Sequence, residues 1–130
     1  MAPTPGAPPL YAALQRLAKA PRQAGQATAS LAHPPRGGDP QAHLREAAEV
    51  AEHLRQRLLQ HRAATLTDQL EGAGAARREA LRLIGRIDRV LGRAEGAATG
   101  TLERRAVRRR RAEIGAALVA AAGPEIRLHS

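Results

Sequence analysis

The main chemical feature of this 130-residue chain is a set of ten arginines on two predicted helices. On a helical wheel, five of them fall within about 80° of arc along segment 75–97, and seven apolar residues occupy the other side. Guanidinium groups are permanently charged planar donors that match phosphate and carboxylate oxygens in bidentate geometry. The set predicts a surface that binds nucleic acid or another polyanion, although charged rows on helices are often only solvated faces. The ten residues are Arg78, Arg82, Arg86, Arg89, Arg93, Arg104, Arg105, Arg108, Arg109 and Arg111.

The chain carries few residues that could read nucleic-acid bases. It has no Asn, and its single aromatic residue is Tyr11. Amide side chains bond to base edges and aromatic rings stack on unpaired bases, so both routes to sequence-specific recognition are weak here. Any contact with nucleic acid is therefore expected to run through the phosphate backbone.

Residue types that carry catalysis are scarce or poorly placed. There is no cysteine, and the two serines, Ser30 and Ser130, fall in predicted tails. Glu49 and His53 are four residues apart, a spacing that shares a helix face, but no metal-binding motif surrounds them. We therefore expect a non-catalytic protein with no metal site, no cofactor and no small-molecule substrate.

The composition favours long helices over other fold classes. Leu, Ile, Val and Phe total 24 of 130 residues, too few for a large core, whereas Ala, Glu, Lys, Leu and Arg total 76. No apolar run reaches the roughly eighteen residues that a membrane span needs, and we expect no membrane partner. The predicted fold is all-α: a three-helix antiparallel bundle or a long helical hairpin, with a basic Pro- and Gly-rich N-terminal arm that carries a short helix.

Residues 1–38 form the predicted extended arm, which contains no acidic residue. A short helix is expected over about residues 10–20, because Leu10, Leu14 and Leu17 share one face. Acid-poor, Arg-bearing and Ala-rich segments also occur as organellar transit peptides, but early prolines and few serines favour a tethering arm. The start of the chain lacks the basic and apolar regions of a secretory signal, which favours an intracellular or virion-associated protein over a secreted one.

Residues 39–123 form the predicted helical bundle, followed by a tail over 124–130. Asp39 is a good N-cap for the first helix, and Gly123 a good residue to end the last one. Gly72 and Gly74 are expected to form the turn that separates the first two helices of the bundle. The expected helix bounds are about 40–71, 75–97 and 101–122.

The last helix has a thin apolar stripe, predicted to contain Val107, Ile114, Leu118 and Ala121. Arg111 is placed with the other arginines on the opposite arc. Arg110 falls inside the stripe, where a pair with Glu103 is expected to offset its charge.

Two glycines inside the second helix also bear on packing. Gly85 and Gly92 lie at the margin between its arginine face and its apolar face. Because glycine costs a helix about 1 kcal/mol relative to alanine, we expect a neighbouring helix to approach closely there.

The net charge of +9 is unevenly distributed, with +4 on residues 1–38, −2 on 39–71 and +7 on 72–130. One hypothesis is a basic helical protein that contacts nucleic acid or another polyanion within a larger assembly. The alternative is a helical adaptor or structural subunit of a complex, such as a virion or a secretion apparatus, whose charge faces acidic protein surfaces. Small helical cores without aromatic residues are marginal, so we expect burial to be completed by another copy or a larger complex.

Overall fold

The computed structural model of the chain describes residues 9–19 and 38–123, and these residues form four helices and no strand. The all-helical class predicted from composition is confirmed, and the helices are compatible with a bundle. Residues 1–8 and 20–37 of the predicted arm, and the predicted tail over 124–130, lie outside the described residues. The helices are α1 (Pro9–Ala18), α2 (Pro40–Leu66), α3 (Leu70–Ala97) and α4 (Thr101–Ala122).

Local capping residues determine where α2 begins and where α4 ends. Asp39 is the N-cap of α2, and its Oδ1 accepts a hydrogen bond of 3.0 Å from the backbone N–H of Gln41. Proline follows at the first helical position, where its missing N–H leaves no intrahelical bond unmade. Gly123 ends α4 with a φ of 79°, a backbone conformation that glycine adopts without a steric penalty. Both predicted helix ends are therefore confirmed.

The turn between α2 and α3 lies at residues 67–69 and not at the glycines 72 and 74, which belong to α3. The Thr67 hydroxyl donates to the carbonyl of Ala63 over 2.9 Å, and Asp68 has a φ of 62°. Aspartate tolerates this left-handed backbone region better than most residues, so the turn forms without glycine. The first predicted helix was consequently too long by about one turn.

The four helices share one apolar core. The most extensive contact joins α2 to α3, while α4 packs mainly on α2, and α1 packs on α4 and α3. Fully buried side chains from all four helices meet in this core. Representative members are Leu14, Leu54, Leu58, Ile87, Leu91, Val107 and Leu118.

Helix α1 covers part of the apolar surface that was predicted to be buried by another copy or a larger complex. Leu10 and Leu14 are fully buried and Leu17 is 2% exposed, so the predicted short helix is present and its apolar face packs against the bundle. An isolated ten-residue helix is marginal in water, so burial of this face is what stabilises α1. Part of the burial expected from a partner is thus provided within the chain.

Among the described glycines, Gly115 of α4 makes the closest contact with another helix, because the backbone of Ala18 lies against it. A Cβ added at Gly115 would lie 2.9 Å from the Ala18 backbone nitrogen and still closer to its Cα and Cβ. Gly92 has open space around it, and Gly85 has only the end of the Arg89 side chain nearby. The predicted close approach at Gly85 and Gly92 is therefore wrong, and the glycine that allows helix contact is Gly115.

Arg111 is the largest fully buried side chain among the described residues, with 2% exposure. Its placement on the solvent face was wrong, because it lies four residues after Val107 and three before Ile114, on the buried stripe itself. Its Nη1 donates to Asp88 Oδ1 of α3 over 2.7 Å and to the carbonyl of Leu17 over 3.4 Å. That carbonyl belongs to the last turn of α1, where cations are favoured by the helix dipole.

The Gly115 contact makes a prediction about stability. Replacing Gly115 with Ala adds a methyl group where the Ala18 backbone lies, so the free energy of unfolding should fall by about 1–3 kcal/mol. The matched control is Gly92→Ala, which should raise it by about 0.5–1 kcal/mol because the site is open and alanine favours helix. Urea unfolding followed by circular dichroism measures both, and a Gly115→Ala protein as stable as the parent would contradict the α1 contact.

Candidate polyanion-binding surface

The five predicted arginines of α3 are all exposed and form one row along the helix. We call this row the α3 ribbon: Arg78, Arg82, Arg86, Arg89 and Arg93. Its first and last residues are fifteen positions apart, so the row extends over about 22 Å. It occupies the side of α3 that faces away from the core residues Ile84, Ile87 and Leu91.

Two of the ribbon arginines have acidic partners. Arg82 Nη2 bonds to Glu79 Oε2 over 2.6 Å on the same helix, and Arg86 Nη2 lies 3.9 Å from Glu46 Oε2 of α2. The guanidinium groups of Arg78, Arg89 and Arg93 make no ion pair or hydrogen bond within the described part of the chain. Adjacent ribbon arginines are three or four residues apart, a spacing at which like charges destabilise a helix by about 0.2–0.5 kcal/mol per pair. A bound polyanion would relieve that repulsion.

The Arg82–Glu79 pair also changes the pKa of the carboxylate. The hydrogen bond from Arg82 lowers the pKa of Glu79 below its ordinary value, and the charges of Arg82 and Arg57 lower it further. Glu79 therefore stays ionised to more acidic pH than a free glutamate. It neutralises part of the α3 ribbon throughout the physiological range.

A groove of about 510 Å³ runs between α2 and α3 beside the ribbon. Arg82, Arg86 and Arg89 line it from α3, and Glu46 and Glu49 face them from α2. The groove thus holds charges of both signs, whereas the ends of the ribbon, at Arg78 and Arg93, lie outside it.

The predicted arginines of α4 are less uniform. Arg105, Arg108 and Arg109 are exposed and Arg104 is half-buried, while Arg111 is in the core and unavailable to a ligand. Arg108 Nε is held by Glu95 Oε2 of α3 over 3.1 Å. The predicted row of arginines on α4 is therefore interrupted. Arg111, one of its predicted members, packs in the core and is not part of the surface.

The expected pair between Arg110 and Glu103 is not formed. Arg110 is exposed and pairs with Glu113 over 3.4 Å. Glu103 instead accepts hydrogen bonds from the backbone N–H and the hydroxyl of Thr99, over 2.7 and 3.0 Å. These bonds satisfy polar groups just before the first turn of α4, where a carboxylate is favoured.

The arginines of α3 and α4 do not form one continuous surface. Arg82, Arg86 and Arg89 line the groove between α3 and α2, while Arg109 and Arg110 line a second groove between α4 and α2. Glu49 of α2 lines both grooves. Helix α2 and its carboxylates therefore lie between the groove arginines of α3 and Arg109 of α4, while Arg108 contacts α3 itself at Glu95. The α3 ribbon is the longer uninterrupted row.

The second groove contains two arginines outside the predicted set, Arg45 and Arg110. Arg45 of α2 lines it opposite Arg109, and both are exposed. Arg45 lies in segment 39–71, which has a net charge of −2, so the charge distribution did not predict it as a binding residue. A wheel of α2 alone would not have found it either, since its neighbours in space come from α4.

Residues 9–19 and 38–123 contain neither a cluster of metal-ligating side chains nor a membrane-spanning helix. No cluster of three or more acidic or histidine side chains there could hold a metal ion, and no helix has the length and hydropathy needed to cross a bilayer. Comparisons of the chain with family models, curated proteins and solved structures found no match.

The pair on the α3 ribbon makes a testable prediction about acid titration. Arg82→Gln removes the hydrogen bond that lowers the pKa of Glu79, so that pKa should rise toward the ordinary value of 4.5. The contribution of the pair to stability is present above the unfolded-state pKa and is lost as pH falls through the lower folded-state pKa. Carboxyl NMR measures the shift. Arg93→Gln, which removes the same charge from the same ribbon, should leave Glu79 nearly unchanged, and an equal shift in both variants would contradict the assignment.

Proposed function

We propose that this is a non-catalytic basic helical protein that binds nucleic acid through phosphate contacts, with the α3 ribbon as the principal surface. The observation that carries the proposal is the exposure of all five ribbon arginines along about 22 Å of one helix, three of them without a partner in the described residues. Such a row can follow a backbone that carries one phosphate per 3.4 Å of each duplex strand.

The expected recognition is weakly dependent on sequence. Tyr11, the single aromatic residue, packs against the core on α1 and so does not offer a stacking platform beside the ribbon. Arginines aimed at phosphates position a nucleic acid without distinguishing its bases. The protein would therefore coat or bridge nucleic acid within a larger assembly, with α2, α3 and α4 joined by three-residue connections.

One observation favours the alternative, an adaptor or structural subunit that contacts other proteins or a second copy. Leu66 and Leu70, which flank the α2–α3 turn, are 61% and 76% exposed. Their chain neighbours Thr67 and Gln69 line a groove of about 730 Å³ between the two helices, together with Ala63 and Ala76. Exposed apolar groups next to a groove are typical of protein contacts.

A salt titration tests the proposal. Binding of a short DNA duplex, followed by fluorescence anisotropy between about 50 and 200 mM salt, should weaken with a slope of about −3 to −4.5 in log–log form, as expected for three to five phosphate contacts. The triple variant R78Q/R89Q/R93Q should reduce the magnitude of that slope by about two to three. Circular dichroism checks that each variant keeps the helix content of the parent.

The matched control is R104Q/R105Q/R109Q, which removes three charges from α4 and leaves the ribbon intact. It should change the slope by less than about one, because distant surface charges are screened by salt. Equal reductions of the slope in the two variants would show that net charge alone governs binding and would contradict the role of the α3 ribbon as the principal surface. No binding by the parent protein at low salt would favour the adaptor alternative.

A further inference from the structure

The groove between α2 and α4 brings together arginines that are far apart in the sequence. Arg45 enters from α2, and Arg109 and Arg110 enter from α4, into a space of about 480 Å³. The guanidinium groups of Arg45 and Arg109 make no ion pair or hydrogen bond within residues 9–19 and 38–123. Arg110 is held by Glu113 over 3.4 Å, at a site where both side chains are about half exposed. The volume is in the range of small-ligand sites.

Part of the lining of this groove is apolar. Leu44 is 7% exposed and belongs to the core, and Ala48 and Ala106 lie beside it. Guanidinium groups and apolar side chains in one groove suit a ligand that has an anionic group at one end and an apolar body at the other.

The carboxylates in the groove narrow the choice of anion. Glu49 and Glu113 line it together with the three arginines, which leaves an excess of one positive charge. The α3 ribbon continues past its carboxylates to Arg78 and Arg93, whereas this groove offers two guanidinium groups without a partner in the described residues, Arg45 and Arg109, which one compact phosphate can meet. A single phosphate group therefore fits the groove better than a nucleic-acid strand does.

We propose that the groove between α2 and α4 is a binding site for a phosphomonoester that carries an apolar or aromatic group. The phosphate lies between Arg45 and Arg109, and the apolar part covers Leu44 and the two alanines. This site is separate from the α3 ribbon and does not depend on the function proposed for it.

Titration of the full chain with phenyl phosphate, followed by two-dimensional NMR, tests the site. Saturable binding is expected in about the millimolar range or below, as befits so small a ligand, with the largest shifts at amides of α2 near Arg45 and of α4 near Arg109. Inorganic phosphate, which lacks the apolar group, and phenol, which lacks the charge, should each bind more weakly. The variant R45Q/R109Q should lose at least about tenfold in affinity for phenyl phosphate, since charge-assisted hydrogen bonds are removed.

Two further variants distinguish this site from general electrostatics and from the ribbon. R104Q/R105Q removes the same charge from outside the groove and should keep the affinity within about twofold. R78Q/R89Q/R93Q should also retain the affinity for phenyl phosphate. The groove site and the α3 ribbon are therefore tested independently. Equal losses in R45Q/R109Q and R104Q/R105Q, shifts centred on α3, or no saturable binding would each overturn the proposal.

Discussion

The packing of this small protein depends on a buried guanidinium group. Arg111 is 2% exposed and lies on the apolar stripe of α4, where an unpaired charge would cost several kcal/mol. Its Nη1 bonds to Asp88 of α3 and to the carbonyl of Leu17 of α1, while its Nε has no partner among the described residues. One side chain of α4 therefore connects to both α3 and α1. Because the Asp88 side chain is 57% exposed, the pair stays in contact with water on that side.

The position of α1 follows from this interaction and from Gly115 beside it. Arg111 bonds to the last turn of α1, and Gly115 lets the Ala18 backbone approach α4 without a side chain between them. Together they align the apolar face of α1 with the surface of α3 and α4, where its leucines become buried. In turn, α1 shields a core that has no large aromatic residue, and packing on this core fixes the face of α3 on which the ribbon lies. A disordered chain of the same charge would not keep the row straight.

Local signals were sufficient to predict much of the fold but not how the helices fit together. Asp39 and Gly123 act through their own backbone and immediate neighbours, so the predicted helix ends were confirmed. The turn at Asp68 has no glycine, and a positive φ at aspartate cannot be distinguished in sequence from an ordinary helical position. Arg111 could have been placed correctly, because it is only about 40° from Val107 on a wheel. It was assigned to the solvent face because arginine is rarely buried unless it is paired.

The candidate site shows the same limit. The exposure of the α3 ribbon followed from the separation of arginines and apolar residues on one helix, which is a local property. Whether α4 adds its arginines to the same surface depends on the order of helices around the bundle, which no single helix encodes. The groove that joins Arg45 to Arg109 arises only when α2 and α4 pack side by side. Likewise, the contact between Ala18 and Gly115 pairs residues almost a hundred positions apart.

Native-state hydrogen exchange of the α1 amides tests the central role of Arg111 most directly. In the parent protein, amides 13–18 should exchange at least about a hundredfold more slowly than in an unfolded chain, because a free ten-residue helix offers little protection. In Arg111→Ala, the same amides should lose most of this protection, while those in the middle of α2 and α3 keep theirs. Amides of α1 that exchange equally fast in both proteins would contradict the dependence of α1 on the buried guanidinium.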